Sequence, residues 1–153
     1  MVDIGCGEGF FAIPSARRVG KSGTVIGIDI NHEAVGRRME RAGREGLHNI
    51  QGCSGTGEET IVCEGYADVV FFGIDRHDFS DQRKVLANAR RMMKTDGRLV
   101  DLDWKKETTP FGPPQNIRFS EQEAAEFIRE AGFSVIEVRD IPPWFYRITA
   151  VPI

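Results

Sequence analysis

Short apolar runs alternate with amphipathic stretches along the whole chain, and this alternation predicts strands and helices in turn. Runs rich in β-branched and other apolar side chains are typical of buried strands. We expect strands over residues 2–4, 24–30, 49–54, 67–73, 98–104, 133–141 and 144–151. Apolar positions at helical spacing predict helices over residues 10–19, 32–45, 81–94 and 120–131, and a further helix could lie between the third and fourth strands.

Two of these helices carry strong local signals. The helix over residues 81–94 has a single apolar stripe, formed by Val85, Leu86, Ala89, Met92 and Met93. Ser120 and Glu123 form a capping-box pattern that starts the helix over residues 120–131, and Gly132 ends that helix.

The order of the elements predicts an α/β fold in one domain over residues 1–153. Strands that alternate with helices form a mostly parallel sheet with helices on both faces. The last two strands are joined only by Pro142 and Pro143, which is too short for a parallel crossover. They must therefore form a C-terminal antiparallel β-hairpin.

Composition and charge are those of an ordinary globular domain. Of the 153 residues 41% are apolar and 28% are charged, and the net charge is −3. No run is long enough for a membrane span, no signal-peptide pattern is present, and an acidic chain has no general attraction to nucleic acid. The arginine pairs at positions 37–38 and 90–91 lie on predicted helices and are interpreted as solvated surface.

The cysteines and histidines indicate neither disulfides nor a metal. Three cysteines (Cys6, Cys53 and Cys63) contain no C-x-x-C pair, so we expect reduced thiols and a cytoplasmic protein. The three histidines show no metal-ligand spacing, and no metal site is expected.

A glycine-rich turn directly after the first strand is the main candidate site. Gly5, Gly7 and Gly9 alternate between that strand and the first helix, and glycines let the backbone approach a ligand closely. Asp29 follows at the end of the next strand, twenty residues after Gly9, where a carboxylate can accept both hydroxyls of a ribose. The alternative is a tight turn with a capping aspartate.

The details of this turn favour S-adenosylmethionine (SAM) over a dinucleotide. Phe10 stands where the dinucleotide fingerprint needs its third glycine. Asp3, inside the first strand, would repel a pyrophosphate but attract the cationic methionine end of SAM. The final antiparallel strand also departs from a dehydrogenase sheet.

The stretches "VDIGCGEGFF", "GIDI" and "ADVVFF", with the terminal hairpin, resemble a class I SAM-dependent methyltransferase over nearly the whole chain. The segment "DWKKETTPFGPP" is similar to the group near the ubiquinone/menaquinone-biosynthesis and type 11 methyltransferases. The resemblance implies a Rossmann-like fold, SAM as cofactor and S-adenosylhomocysteine (SAH) as product.

The same resemblance implies a set of cofactor-binding residues. The methionine part of SAM would lie on Asp3, Gly5, Cys6, Gly7 and Gly9. Asp29 would bind the ribose, Ile30 would pack on adenine, Thr56 and Gly57 would read the adenine amino group, and Gly73 would line the methyl-transfer side. Thr56 replaces the acidic residue that the family usually has at its position.

Candidate catalytic residues lie after the fourth and fifth strands, because ligands bind at the carboxyl ends of parallel strands. His77 is the candidate base, since its pKa lies near neutrality; the alternative is an exposed loop histidine. Asp103 is the preferred carboxylate, whereas Asp101 is expected to pair with Arg98 or Lys105. Lys105 and Lys106 either form a lid or belong to a solvated loop.

These patterns predict a SAM-dependent methyltransferase acting on a small molecule, without nucleic-acid partners and with a homodimer as the expected oligomer. A second interpretation is a SAM-binding module without catalysis. The reason for this interpretation is that members of the family usually have helices before the first strand that help to close the active site. Such helices do not precede Val2 here. An NAD-dependent oxidoreductase is disfavoured by Phe10 and by the final strand.

Overall fold

One seven-stranded sheet runs through the computed structural model, which describes residues 1–153. Its strands are β1 (Val2–Ile4), β2 (Val25–Asp29), β3 (Ile50–Ser54), β4 (Ala67–Gly73), β5 (Met93–Trp104), β6 (Phe133–Ile141) and β7 (Phe145–Pro152). The helices are α1 (Ala12–Val19), α2 (His32–Arg44), α3 (Gln82–Met92) and α4 (Glu121–Glu130).

The strand order is β3-β2-β1-β4-β5-β7-β6. The first five strands pair in parallel, and β7 lies antiparallel between β5 and β6. The predicted fold class, including the C-terminal hairpin, is therefore confirmed. The chain turns to opposite sides of β1, toward β2 and toward β4, so the carboxyl ends of these strands form the crevice where such sheets bind ligands.

The helices cover the sheet from both faces. Helix α1 and part of α2 share a small core with β2 and β3, whereas α3 and α4 pack in the larger core with β4, β5 and β7. Asn31, Asp81 and Ser120 cap α2, α3 and α4 with side-chain oxygens that accept backbone N–H groups, and Ser120 and Glu123 complete the predicted capping box. No helix here is both long and apolar enough to cross a bilayer.

Two expectations about the elements are wrong. Strand β5 begins at Met93 rather than at residue 98, and the expected turn over residues 95–97 is a bulge within it, opposite the step from Ala67 to Val69. A β-carbon on Gly97 would lie 2.9 Å from the Ala67 carbonyl oxygen, so glycine permits this close approach. No helix forms between β3 and β4, where turns replace it and Ile61, Val62 and Cys63 pack against the larger core.

Candidate functional site

The glycine turn after β1 is held open by backbone geometry. Gly5, Gly7 and Gly9 have positive φ angles of 75°, 49° and 88°, which other residues adopt only with strain. The N–H groups of Gly5 and Cys6 both donate to the carbonyl oxygen of Ile28, at 2.8 and 3.1 Å. These bonds fix the turn against the end of β2.

Asp29 meets this turn directly. Its Oδ2 accepts the N–H of Gly7 at 2.6 Å, and its Oδ1 accepts the N–H of Asn31 at 2.8 Å. Each oxygen keeps a further acceptor site. The carboxylate is therefore oriented by the backbone and can still accept hydroxyl groups of a ligand.

A cavity of about 350 Å³ opens beside Asp29 at the carboxyl ends of the strands. Its lining residues come from the loops after β1, β2, β3 and β4; they are Gly5, Asp29, Ile30, Gly55, Thr56, Gly57, Glu58, Asp75, Asp78, Phe79 and Ser80. Four of these side chains are acidic and none is basic. The cavity thus favours a ligand that carries positive charge.

Unpartnered polar atoms point to the same kind of ligand. The carboxylate oxygens of Asp3 and Asp75 and the hydroxyl of Thr56 are shielded from solvent and have no hydrogen-bond partner. Buried polar groups are normally paired. Burial raises the pKa of Asp3 to about 7, with a further increase from Asp29, while the positive charge of Arg38 opposes the shift.

Arg38 packs behind the glycine turn, so the expectation that it lies on solvated surface is wrong. Its side chain is fully buried and donates to the carbonyl oxygens of Gly7 and Gly27, at 2.7 and 2.9 Å, and to the sulfur of Cys6. The Cys6 thiol also contacts the Ile28 carbonyl oxygen, and burial raises the pKa of Cys6. The Cys6 side chain thus packs behind the turn, with only the backbone left to face a ligand.

The far wall of the cavity is formed by the loop after β3. A β-carbon on Gly57 would lie 2.7 Å from Val85 and 2.9 Å from Phe79, so only glycine fits there. Asn88, buried on α3, donates to the carbonyl oxygens of Gly57 and Glu58 at 3.0 and 2.8 Å. The only sequence signal for Asn88 is that a polar residue stands within the apolar face of a predicted helix.

Gly73 lies on a second, shallower cleft on the other side of the glycine turn. This cleft of about 280 Å³ is lined by Gly5, Cys6, Gly7, Glu8, Phe10, Phe11, Gly73 and Ile74. A β-carbon on Gly73 would lie 2.5 Å from the Phe11 ring, which in turn packs on Phe71 with ring centres 5.0 Å apart. Gly5 borders both cavities, so the two meet at the turn.

The two predicted catalytic residues come together. Nδ1 of His77 lies 2.7 Å from Oδ1 of Asp103, and both side chains are almost fully buried. Asp103 also accepts the N–H groups of His77 and Trp104. With Nδ1–H donating to the carboxylate, Nε2 holds the imidazole lone pair, 3.6 Å from Asp78. Burial acts to lower the pKa of His77, but the hydrogen bond and charge of Asp103 outweigh it, and the pKa is raised.

Asp101 is paired with Arg76, not with Arg98 or Lys105 as expected. Nε of Arg76 lies 2.7 Å from Oδ2 of Asp101, and neither side chain is exposed. Arg76 also donates to Gln82 at 2.8 Å. Because Arg76 directly precedes His77, this ion pair anchors the segment that carries the histidine.

The segment over residues 105–118 is a compact loop beside β5. Arg118, almost fully buried, donates to the carbonyl oxygens of Lys105, Glu107 and Pro113 and lies over the ring of Trp104. Lys105 pairs with Asp140, and Lys106 lies 3.0 Å from Glu123. Both lysines are therefore already engaged in ion pairs. No three histidine, cysteine or acidic side chains are arranged to hold a metal ion.

Comparison with known proteins gives a consistent picture. A family model described as a methyltransferase domain matches residues 1–139. The chain is similar to the nocamycin O-methyltransferase of Saccharothrix syringae, with 35% identity over 99 residues that span 65% of this chain and 35% of that protein. It is also 29% identical to the demethylmenaquinone methyltransferase of Lactobacillus johnsonii over 110 residues, 71% of this chain and 45% of that protein. The chain thus spans less than half the length of these relatives.

A solved structure agrees with the sequence matches. A SAM-dependent methyltransferase from Aquifex aeolicus superposes with a TM-score of 0.94 at 28% identity, covering 99% of this chain and 81% of that one. The resemblance drawn from the glycine turn and the terminal hairpin is confirmed by these matches.

Proposed function

This chain belongs to the family of SAM-dependent methyltransferase domains, and on that premise we propose that it transfers a methyl group from SAM to a small-molecule acceptor. The observation that supports the proposal is the hydrogen bond from the N–H of Gly7 to Asp29, which holds a carboxylate at the cavity beside the glycine turn, as expected of a group that binds a ribose.

The residues at the cavity fit SAM. Asp29 takes the ribose hydroxyls through the acceptor sites that its backbone bonds leave free. The exposed side chain of Ile30 and the ring of Phe79 offer apolar contact to adenine, beside Thr56 and Gly57. Asp3, buried and unpartnered, takes the amino group of the methionine part, near the open backbone of Gly5, Gly7 and Gly9.

When bound, SAM supplies an electrophilic methyl group on a sulfonium. The protein aligns the acceptor with this methyl group and provides a base. Methyl transfer is an in-line displacement that depends mainly on alignment. An acceptor hydroxyl must also lose its proton. We assign that base to His77, which lines neither cavity itself but lies between the cavity residues Asp75 and Asp78 in the chain. Asp103 fixes its tautomer and stabilises the imidazolium that forms.

The acceptor in this proposal is a small, largely apolar molecule with a hydroxyl group. Phe10, Phe11 and Ile74 give the second cleft an apolar lining where it meets the glycine turn. The named activity of the Saccharothrix relative, an O-methyltransferase, supports oxygen as the acceptor atom.

The function is tested by measuring transfer of a tritium-labelled methyl group from SAM to small phenols and enols. We expect labelled product with the wild-type chain, and with His77→Gln we expect unchanged SAM binding but a rate lower by roughly 100-fold. SAM binding without transfer to any acceptor would instead support a non-catalytic SAM-binding module. Transfer that is unaffected by His77→Gln would remove His77 as the base.

A further inference from the structure

Asp75 lines the cavity, but neither the proposed contacts to SAM nor the proposed methyl transfer involves it. It follows Ile74, whose φ of 68° is strained for a β-branched side chain. The N–H of Ile74 donates to the Leu102 carbonyl oxygen at 2.7 Å, which ties this strained residue to β5. The strained turn directs Asp75 toward the glycine turn instead of toward solvent.

The Asp75 carboxylate lies directly against Gly5. A β-carbon on Gly5 would lie 1.7 Å from Oδ2 of Asp75, so the carboxylate occupies space that only glycine leaves open. Both oxygens are shielded from solvent and neither has a hydrogen-bond partner. A buried carboxylate in this condition is unfavourable unless a partner neutralises it.

The groups around Asp75 make it still less favourable as an anion. Burial raises its pKa well above the usual range, and the negative charges of Asp3 on β1, Asp103 and Asp101 on β5 and Asp29 on β2 add to the increase. The neighbouring cations are engaged elsewhere: Arg76 pairs with Asp101, and Arg38 binds behind the glycine turn. The missing partner is therefore a positive charge that the ligand must bring.

We propose that Asp75 pairs with the sulfonium of SAM and that this contact distinguishes SAM from its product SAH. SAM carries an ammonium and a sulfonium, whereas SAH keeps only the ammonium. Asp75 lines the cavity, and the buried Asp3 on β1 lies near enough to act on its charge. Both carboxylates are unpartnered, and together they match two positive charges. With SAH one carboxylate is left without its cation, which favours release of the product.

Binding of SAM is consequently linked to release of a proton. A buried carboxyl without a partner holds its proton, and a cation beside it favours the ionised form. The proton leaves to the buffer when SAM binds. SAH lacks the second cation, so it releases fewer protons than SAM does.

The proposal rests on the proposed function and is tested by titration calorimetry of SAM and SAH in buffers of different ionisation enthalpy. The variants are Asp75→Asn and, as a control that makes the same substitution outside the cavity, Asp96→Asn at an exposed position in the bulge of β5. We expect Asp75→Asn to weaken SAM binding on the order of tenfold, to change SAH binding by less than about threefold, and to release fewer protons with SAM. Asp96→Asn should behave as the wild type.

Other outcomes separate the failures. Equal weakening of SAM and SAH, or no weakening, overturns the role of Asp75 but leaves the proposed function standing. A wild-type chain that binds neither ligand overturns both. Binding of magnesium alone that Asp75→Asn abolishes would assign the carboxylate to a metal and overturn the proposal. If Asp75→Asn does not fold by circular dichroism, Asp75→Ser provides the same comparison.

Discussion

Gly5 and Asp75 occupy complementary space: the carboxylate of Asp75 fills the position where a side chain on Gly5 would begin. Gly5 also has a φ of 75°. Alanine at this position would therefore be strained and would displace Asp75. We predict that Gly5→Ala lowers SAM affinity on the order of 100-fold, about 2.7 kcal/mol, as measured by titration calorimetry.

Two further variants show whether the loss of SAM affinity comes from the clash between the new side chain at position 5 and Asp75. Gly36→Ala on α2 meets no atom within 4 Å and should leave SAM affinity unchanged while stabilising the helix by roughly 0.5–1 kcal/mol. Gly5→Ala combined with Asp75→Ala should be less than additive, because the second change removes the clash. Full additivity would mean that backbone strain alone accounts for the loss.

Arg38 stabilises both the fold and the glycine turn. Replacing it by methionine leaves the carbonyl oxygens of Gly7 and Gly27 unpartnered, and we expect the free energy of unfolding to fall by about 2–4 kcal/mol. Urea denaturation measures this. The matched control is Arg37→Met, because Arg37 is half-exposed and pairs only with Glu8 and Glu33 on the surface. Its loss should cost less than about 1 kcal/mol, and a similar cost for both variants would contradict the assignment.

The His77–Asp103 pair predicts the pH dependence of methyl transfer. Only the neutral imidazole is a base, and its pKa is raised above 6.5, so the rate should rise with pH through a midpoint above that value. The free energy of unfolding changes with pH in the opposite direction. The stabilisation from the ion pair between protonated His77 and Asp103 is fully present below pH 6.5 and is lost as the pH rises through the raised pKa of His77. The measurement is the transfer rate as a function of pH.

Asp103→Asn identifies the cause of that midpoint. Removing the carboxylate should move the midpoint to lower pH and reduce the maximal rate, since the imidazole loses both its charge partner and its fixed tautomer. Asp78→Asn should move it less, because Asp78 is exposed and lies 3.6 Å from Nε2. A midpoint that Asp103→Asn leaves in place would show that another group titrates.

Asp3 should make the unliganded protein less stable as the pH rises. Its pKa is raised from 3.8 to about 7, so the unfolded chain loses the proton first and stability falls between these values, by roughly 2–4 kcal/mol. Asp3→Asn should therefore be more stable relative to wild type above pH 7 than at pH 5. Urea denaturation at the two pH values gives this difference, and an equal difference at both would contradict the raised pKa.

Much of the fold was predictable because its signals are local. The glycine turn requires positive φ angles, the Pro142–Pro143 link is too short for a crossover, and the stripe from Val85 to Met93 proved to be buried. The start of β5 was missed because it depends on pairing with Ala67 across the sheet. Such pairing leaves no trace within residues 93–97 themselves.

The sequence predicted those site residues whose side chains have suitable chemistry and that stand at the carboxyl ends of strands. Asp29 and the turn meet as expected, and His77 and Asp103 come together across two strands. Arg38 was misjudged because an arginine on a charged helix is usually solvated, and only the packing of α2 behind the turn buries it. The contact of Asp75 with Gly5 depends on the strained φ of Ile74, which no sequence pattern indicates.

Titration calorimetry with SAM tests the central claim most directly. The wild-type chain should bind SAM and SAH saturably and show no binding of NADH, and Asp29→Ala should weaken SAM binding by about 1–3 kcal/mol because charged hydrogen bonds are lost. Absence of binding of both SAM and SAH at millimolar concentration, or an affinity unchanged by Asp29→Ala, would contradict the assignment of this cavity to SAM.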